Sequence, residues 1–129
     1  MIYYFTGDYF LISGIFVWKL KELDNSYAKQ SGYPKRVSDV FQQATGQINA
    51  MFRVGSYIYI IHDGDKISNY YNDGSTLYVV KGRQNLASTL GKDGVFVDKT
   101  IRSAFNHDGK TILIADDLSS FYQVNKYFC

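Results

Sequence analysis

The sequence has few of the residue types that build disulfides, kinks and long helices. Of its 129 residues, one is cysteine, one is proline, and Glu22 is the only glutamate among twelve acidic residues. Because the single cysteine, Cys129, is the last residue, no disulfide can form within the chain. Glutamate favours helices, whereas the 12 tyrosines and 9 phenylalanines favour strands. The composition therefore predicts an all-β chain with little helix.

Neither sign of charge is in large excess. Fourteen basic and twelve acidic residues leave a net charge of +2, and they are interspersed along the chain. A nucleic-acid partner is not expected, since it would require a basic stripe.

The N-terminal segment MIYYFTGDYFLISG has no basic region and is interrupted by Gly7 and Asp8, so we expect no signal peptide and no membrane span. The length favours a single domain over residues 1–129, or part of one.

Asp-Gly pairs separate short apolar runs. Tight hairpin turns require positive φ at both central residues, which Asp tolerates and Gly prefers. The pairs lie at 63–64, 73–74, 93–94 and 108–109. The runs before, between and after them are YFLI, IFVWKL, YIYII, TLYVV and TILIA. This alternation predicts an antiparallel meander.

The chain contains an internal repeat of roughly fifty residues. INAMF, which ends at Phe52, resembles IRSAF, which ends at Phe105, and each is followed by a short turn and an apolar strand. MIYYF, which ends at Phe5, marks a third start. We expect Phe52 and Phe105 to occupy equivalent buried positions. Four strands in such a unit are typical of a β-propeller blade.

The segment GYPKRVSDVF contains the only proline and closes the first unit. Proline ends the preceding strand, and the spacing of Val37, Val40 and Phe41 predicts a helical turn with one apolar face. Lys35 and Arg36 should remain in water. The counterpart in the second unit, GRQNLASTLG, has leucines at helical spacing.

These features together resemble the hemopexin-like repeats, a β-propeller family. IRSAFNHDGKTILIADD is similar to the start of a blade, and GYPKRVSDVF to its end. The resemblance implies four-stranded antiparallel units: two complete blades at about 1–45 and 46–99, and a partial third blade at about 100–129. It also implies a central channel, with Asn49 and Arg102 at the position of the family's usual aspartate. Such a channel would hold water or an ion, either a cation or an anion beside Arg102; no other cofactor is expected.

An incomplete propeller would expose a sheet face and a strand edge, so the resemblance implies a partner that completes it. A second copy of the chain, forming a homo-oligomer, or a different protein would fill this role, and a glycan is a further candidate partner. The resemblance also favours an extracellular or secreted location. We expect the interface to include the C-terminal residues Phe121, Tyr122, Tyr127 and Cys129.

Catalytic and metal sites are not expected. The HDGD segment at 62–65 has neither the ligand spacing of a calcium loop nor the ligands of a zinc site, and it is interpreted as a hairpin turn. His107 lies in a similar predicted turn. Asp116 and Asp117 are neighbours on a strand or turn and would point in different directions. No nucleophile has a positioned base beside it, so we expect no enzyme.

The tyrosines have two interpretations. They either pack between sheets or form a surface that stacks on sugars or on a protein. The examples considered are Tyr57, Tyr59, Tyr70, Tyr71 and Tyr78.

Three functions follow from these observations. The leading hypothesis is a non-enzymatic binding or scaffolding module of hemopexin-like type that acts on a protein or glycan. One alternative is a structural subunit that self-assembles through its incomplete propeller. The other is a lectin-like binder of carbohydrates or small molecules.

Overall fold

The structure, a computed structural model, describes residues 2–5, 8–72, 77–91 and 98–124. Strands predominate within these ranges, and helix is confined to two short segments. The prediction of an all-β chain is therefore confirmed.

The strands form three antiparallel sheets, numbered here in chain order. Sheet 1 contains β1 (Ile2–Phe5), β2 (Asp8–Ser13), β3 (Phe16–Leu23) and β4 (Ser26–Lys29), and β5 (Lys35–Arg36) also pairs with β3; helix α1 (Val37–Val40) follows. Sheet 2 contains β6 (Ile48–Val54), β7 (Tyr57–His62), β8 (Lys66–Asn72) and β9 (Leu77–Asn85), and helix α2 (Leu86–Gly91) follows. Sheet 3 contains β10 (Ile101–His107), β11 (Lys110–Ala115) and β12 (Phe121–Val124).

The predicted Asp-Gly turns are confirmed where they are described. Asp63 and Gly64 have φ values of 53° and 76° in the turn between β7 and β8. Asp108 and Gly109 have φ values of 51° and 75° between β10 and β11. Both pairs therefore have the left-handed backbone that tight hairpins require. The pairs at 73–74 and 93–94 lie outside the described residues.

Sheet 2 lies between the other two sheets and contributes to both hydrophobic clusters. One face packs against sheet 1 and the segment around α1; this cluster includes Phe10, Ile12, Val17, Val37, Phe41, Met51, Ile58, Ile60 and Tyr70. The other face packs against sheet 3 and α2; this cluster includes Phe52, Tyr59, Ile61, Ile67, Leu86, Leu90, Ile101, Leu113 and Val124. Since successive side chains of a strand point to opposite faces, the apolar runs of sheet 2 supply both clusters.

The segment GYPKRVSDVF behaves as predicted in its burial. Val37 and Phe41 are buried, whereas Lys35 and Arg36 are exposed. Phe41 packs edge-to-face against Phe10 of sheet 1, with ring centroids 5.8 Å apart. The two basic residues also form β5, a strand that the sequence did not predict.

The predicted arrangement of hemopexin-like propeller blades is wrong. In the ranges that the structure describes, no sheet forms a propeller or a closed barrel, and the sheets have five, four and three strands. The repeat starts and turns specify antiparallel meanders and their apolar faces. They do not specify the angle between successive sheets. A propeller closes around its axis only when that angle has the right value. The first strands, β1, β6 and β10, contain the three repeat starts, while the predicted unit boundaries stay predictions.

Phe52 and Phe105 do not share the burial that the repeat predicted. Phe52 is 1% exposed and stacks on Tyr59, with ring centroids 5.1 Å apart. Phe105 is 46% exposed. Both face away from the preceding sheet, but sheet 3 has no following sheet among the described residues to cover Phe105.

This difference predicts unequal losses of stability. Phe52→Ala should lower the free energy of unfolding by about 3 to 5 kcal/mol, because it leaves a cavity between sheets 2 and 3. Phe105→Ala should lower it by no more than about 1 kcal/mol, since most surface substitutions have small effects. Denaturant titration at low protein concentration measures both. Equal losses would contradict this packing.

Candidate functional site

The first strands of sheets 2 and 3 contain bulges at equivalent positions. In β6, Ile48 pairs with His62 and Ala50 with Ile61, which leaves Asn49 as the extra residue. The pairing of β10 with β11 shifts in the same way between Ile101 and Ser103, which leaves Arg102 as the extra residue. Bulges change the direction of a side chain and are frequent beside functional sites.

Asn49 and Arg102 line the same cleft. The cleft has a volume of about 470 Å³ and lies where β6 and β10 begin. Its other lining residues are Gln47, Ile48, Asp63, Gly64, Thr100 and Asp116. The structure thus brings together the two residues that the resemblance placed beside a channel, although their predicted role stays a prediction.

The turn between β7 and β8 joins the two bulged strands. The amide of Gly64 donates to Asn49 Oδ1 at 2.6 Å, and its carbonyl accepts a hydrogen bond from the Ile101 amide at 3.1 Å. Gly64 has positive φ, and a Cβ there would lie 2.2 Å from Thr100 Cγ2. Only glycine therefore fits without displacing the Thr100 side chain.

Asp63 is held by an ion pair and does not face the cleft as a free carboxylate. Its Oδ2 lies 2.8 Å from Arg83 Nη2, and its Oδ1 accepts a hydrogen bond from the Gln47 amide at 3.1 Å. Arg83 also donates to Thr45 Oγ1 at 2.9 Å. The Arg83 guanidinium lowers the pKa of Asp63 below its ordinary value. This network ties β9 to the chain entering β6.

Arg102 and Asp116 supply the charges that remain available in the cleft. Both residues are exposed, and neither side chain forms an ion pair or hydrogen bond with another described residue. The Asp116 backbone is fixed, because its amide donates to the Thr100 carbonyl at 2.9 Å. A guanidinium suits carboxylate, sulfate or phosphate groups, and a carboxylate accepts hydrogen bonds from hydroxyl or amine groups. The cleft therefore suits a polar ligand with both kinds of group.

His62 is a buried structural residue. The sequence suggested that it lies on the turn, but the structure places it before the turn. It ends β7 and has no exposed surface. Nδ1 lies 2.9 Å from the Thr45 carbonyl oxygen and therefore donates to it, while Nε2 lies 2.9 Å from Ser68 Oγ and accepts from it in the neutral ring. His107, by contrast, is exposed, and its Nε2 lies 3.3 Å from Asp108 Oδ2.

Metal ligands do not cluster in the described ranges. These ranges contain no group of three or more His, Cys, Asp or Glu side chains placed to hold a metal ion. Within the HDGD segment, the residues after His62 form the hairpin turn that was predicted. None of the described helices is long and apolar enough to span a membrane.

The predicted interface residues separate into three groups. Phe121 is 59% exposed and lies on the face of sheet 3 that is turned away from sheet 2. Tyr122 is half-buried, packs toward sheet 2 and donates a hydrogen bond to Asp98. Tyr127 and Cys129 lie outside the described residues.

The tyrosines of sheet 2 divide between packing and surface. Tyr59 and Tyr70 are buried, which agrees with the interpretation that they pack between sheets. Tyr71 and Tyr78 are 38% and 51% exposed and pair across β8 and β9. Tyr57 packs edge-to-face against Tyr71, with ring centroids 5.4 Å apart. This outer end of sheet 2 is therefore an exposed aromatic surface.

Comparisons with known proteins identify similar folds. No protein-family model and no curated protein matches the chain. A solved 2S albumin seed protein from Dolichos matches 89% of this chain with a TM-score of 0.61 and 16% identity. A plant albumin from Cicer arietinum, described as showing hemagglutination, matches 84% of the chain with a TM-score of 0.62 and 22% identity. The chain spans 60% and 52% of the lengths of these two proteins.

These matches correct the predicted resemblance. The similar structures are plant albumins and not hemopexin repeats, so the assignment to the hemopexin-like family is wrong. At this level of identity, the likeness concerns the fold alone. The motifs INAMF and IRSAF located the first strands, but they did not identify the family.

Sequence reasoning missed Asp63, Gly64, Thr100 and Asp116 as parts of the cleft. The repeat contained a signal for them. The Asp63 amide donates to the Gln47 carbonyl at 2.8 Å, and the Asp116 amide donates to the Thr100 carbonyl at 2.9 Å. Both pairs join the end of a second strand to the residue before a first strand. Aligning second strands as well as first strands would have placed these residues together.

The environment of His62 predicts a loss of stability in weak acid. Burial is the main reason that its pKa lies below the ordinary value of 6.5, and Arg83 and Lys66 lower the pKa further, while the Thr45 hydrogen bond and Asp63 oppose this. The folded state thus favours the neutral ring. Its contribution to stability is complete above the ordinary pKa and decreases as the pH falls through the lowered value.

Unfolding measured between about pH 7 and pH 5 tests this effect, since histidine titrates in that window. The native protein should lose more stability across the window than His62→Gln, whose side chain does not titrate. Parallel pH profiles would refute the assignment of the effect to His62.

Proposed function

We propose that this chain is a non-enzymatic binding protein that recognises a protein or glycan through the cleft at Asn49 and Arg102. The observation that carries the proposal is the pair of equivalent bulges that line one cleft. Each bulge interrupts a ladder of strand hydrogen bonds, and bulges are often retained where they direct a side chain to a site.

The charges of the cleft support recognition of a polar partner. The Arg102 guanidinium and the Asp116 carboxylate have no ion-pair or hydrogen-bond partner in the described ranges. Arg102 lies on β10, whose first amide, at Ile101, donates to the Gly64 carbonyl, and the Asp116 amide donates to the Thr100 carbonyl. The groups are therefore presented on a rigid frame, which reduces the entropy lost on binding.

The structural similarity to plant albumins guides the choice of ligand class. The albumin from Cicer arietinum is described as showing hemagglutination, and for this chain we propose glycans as the first class of ligand. The exposed tyrosines Tyr71 and Tyr78 support the lectin-like form of the proposal, because aromatic rings stack on apolar faces of ligands. A secreted location stays a prediction.

Binding arrays test the proposed function. The labelled chain is applied to an array of neutral, sialylated and sulfated oligosaccharides and to an array of peptides with acidic side chains. We expect saturable binding to members of one array. Absence of binding to both arrays would reject the function.

The role of the cleft is tested on the same arrays with a matched pair of variants. Arg102→Gln should weaken binding by about tenfold or more, since a charge-assisted hydrogen bond is lost. Arg53→Gln removes another exposed arginine, on β6, outside the residues that line the cleft, and should leave binding unchanged. Equal effects of the two variants would place the site elsewhere.

A second candidate function is a structural subunit that self-assembles. It is favoured by the exposed apolar face of sheet 3, where Phe105 and Phe121 are 46% and 59% exposed. Large exposed apolar surfaces mark interaction sites in soluble proteins. Sedimentation velocity over a dilution series tests it: we expect an average mass that rises with concentration. A monomer at every concentration would exclude self-assembly.

A further inference from the structure

We infer that the outer face of sheet 3 docks onto the outer face of sheet 1 of a second copy, in a head-to-tail contact. The inference rests on the proposed self-assembly and specifies which surfaces meet. The outer face of sheet 3 is defined by Phe105, Ile112, Ile114 and Phe121, which are directly opposed across β10, β11 and β12.

Sheet 2 shows how this face is covered when a further sheet is present. Phe52 pairs with Tyr59, and Ile61 with Ile67, just as Phe105 pairs with Ile112, and Ile114 with Phe121. The four residues of sheet 2 are at most 1% exposed, because sheet 3 and α2 lie against them. In sheet 3, the two phenylalanines are about half exposed. The same apolar pattern is therefore present, and no further sheet among the described residues covers it.

The same chain offers a matching surface. The outer face of sheet 1 is defined by Leu11, Phe16, Trp18, Leu20 and Tyr27, all on the side opposite the buried Val17. Phe16 is 43% and Tyr27 is 58% exposed, and Phe16 lies beside Trp18 with ring centroids 6.4 Å apart. This face occupies the same place in sheet 1 as the face of sheet 2 that packs on sheet 1. It therefore has the strand register needed to pack in the same way on the outer face of sheet 3.

The charges at the two ends of these faces select the orientation. On sheet 1, Glu22 lies beside the turn from β3 to β4, and Arg36 lies at the other end of β3. On sheet 3, Lys110 lies beside the turn from β10 to β11, and Asp116 lies at the other end; the neighbouring Asp117 is already paired with Lys99 at 3.6 Å. If the second copy packs on sheet 3 in the orientation in which sheet 3 packs on sheet 2, Glu22 lies at the same end as Lys110, and Arg36 lies at the same end as Asp116. Complementary charge of this kind fixes the register of an interface.

A mixing experiment tests the head-to-tail contact directly. Phe121→Asp disables the outer face of sheet 3 and leaves that of sheet 1 intact, while Phe16→Asp does the reverse. Each variant alone should associate at least about tenfold more weakly than the native chain, because a charge is placed in an apolar contact. An equimolar mixture of the two should form a one-to-one complex through the single intact pair of faces.

Val80→Asp is the matched control, since it changes an exposed apolar residue of sheet 2, on β9, that lies on neither face. It should associate like the native chain, and circular dichroism should show that all three variants fold. Association by Phe16→Asp alone, or no complex in the mixture, would overturn the head-to-tail contact even if the native chain self-associates. A native chain that remains a monomer would overturn the inference together with the self-assembly on which it rests.

Discussion

The packing of both faces of sheet 2 is the interaction on which the rest of the structure depends. An antiparallel sheet usually buries one face and exposes the other, but Met51, Ile58 and Ile60 face sheet 1, while Phe52, Tyr59 and Ile61 face sheet 3. All six side chains are at most 1% exposed. Sheets 1 and 3 each have one such face against sheet 2. The middle sheet therefore supplies the core for its neighbours.

The candidate site is a consequence of that packing. Because sheet 3 lies against sheet 2, the first strands β6 and β10 begin side by side, and the turn at Gly64 contacts both. The bulges at Asn49 and Arg102 are a property of each repeat, but the cleft exists only where two repeats meet. The exposed face of sheet 3 has the same origin, since the pattern that is buried in sheet 2 recurs there with no further sheet against it in the part of the chain that the structure describes.

Local features of the fold were predictable, and relations between repeats were not. Asp-Gly pairs determine the turns through their φ requirements, and the apolar spacing around Val37 and Phe41 determines which side chains are buried. Propeller closure and the hemopexin-like family were wrong, because the angle between sheets depends on packing that no single repeat encodes. Phe105 shows the limit most clearly: its sequence context matches that of Phe52, but its burial depends on whether a further sheet follows.

The site was partly predictable for the same reason. Asn49 and Arg102 were found because they occupy the same position in adjacent repeats. The ion pair of Asp63 with Arg83 was not found, since it joins a turn residue to a residue of β9 that lies twenty positions further along the chain, and no motif links the two. The buried role of His62 also depends on tertiary contacts, with Thr45 and Ser68, that its local sequence does not reveal.

Native-state hydrogen exchange of the backbone amides tests the central role of sheet 2 most directly. Exchange reports the free energy of opening for each segment, and the most protected amides identify the core that opens last. We predict that the slowest exchange occurs in β7, at Ile58 to Ile61, and that amides of β4 and β12 exchange faster. Protection of β2 or β11 that exceeds that of β7 would contradict the account, because it would place the core in an outer sheet.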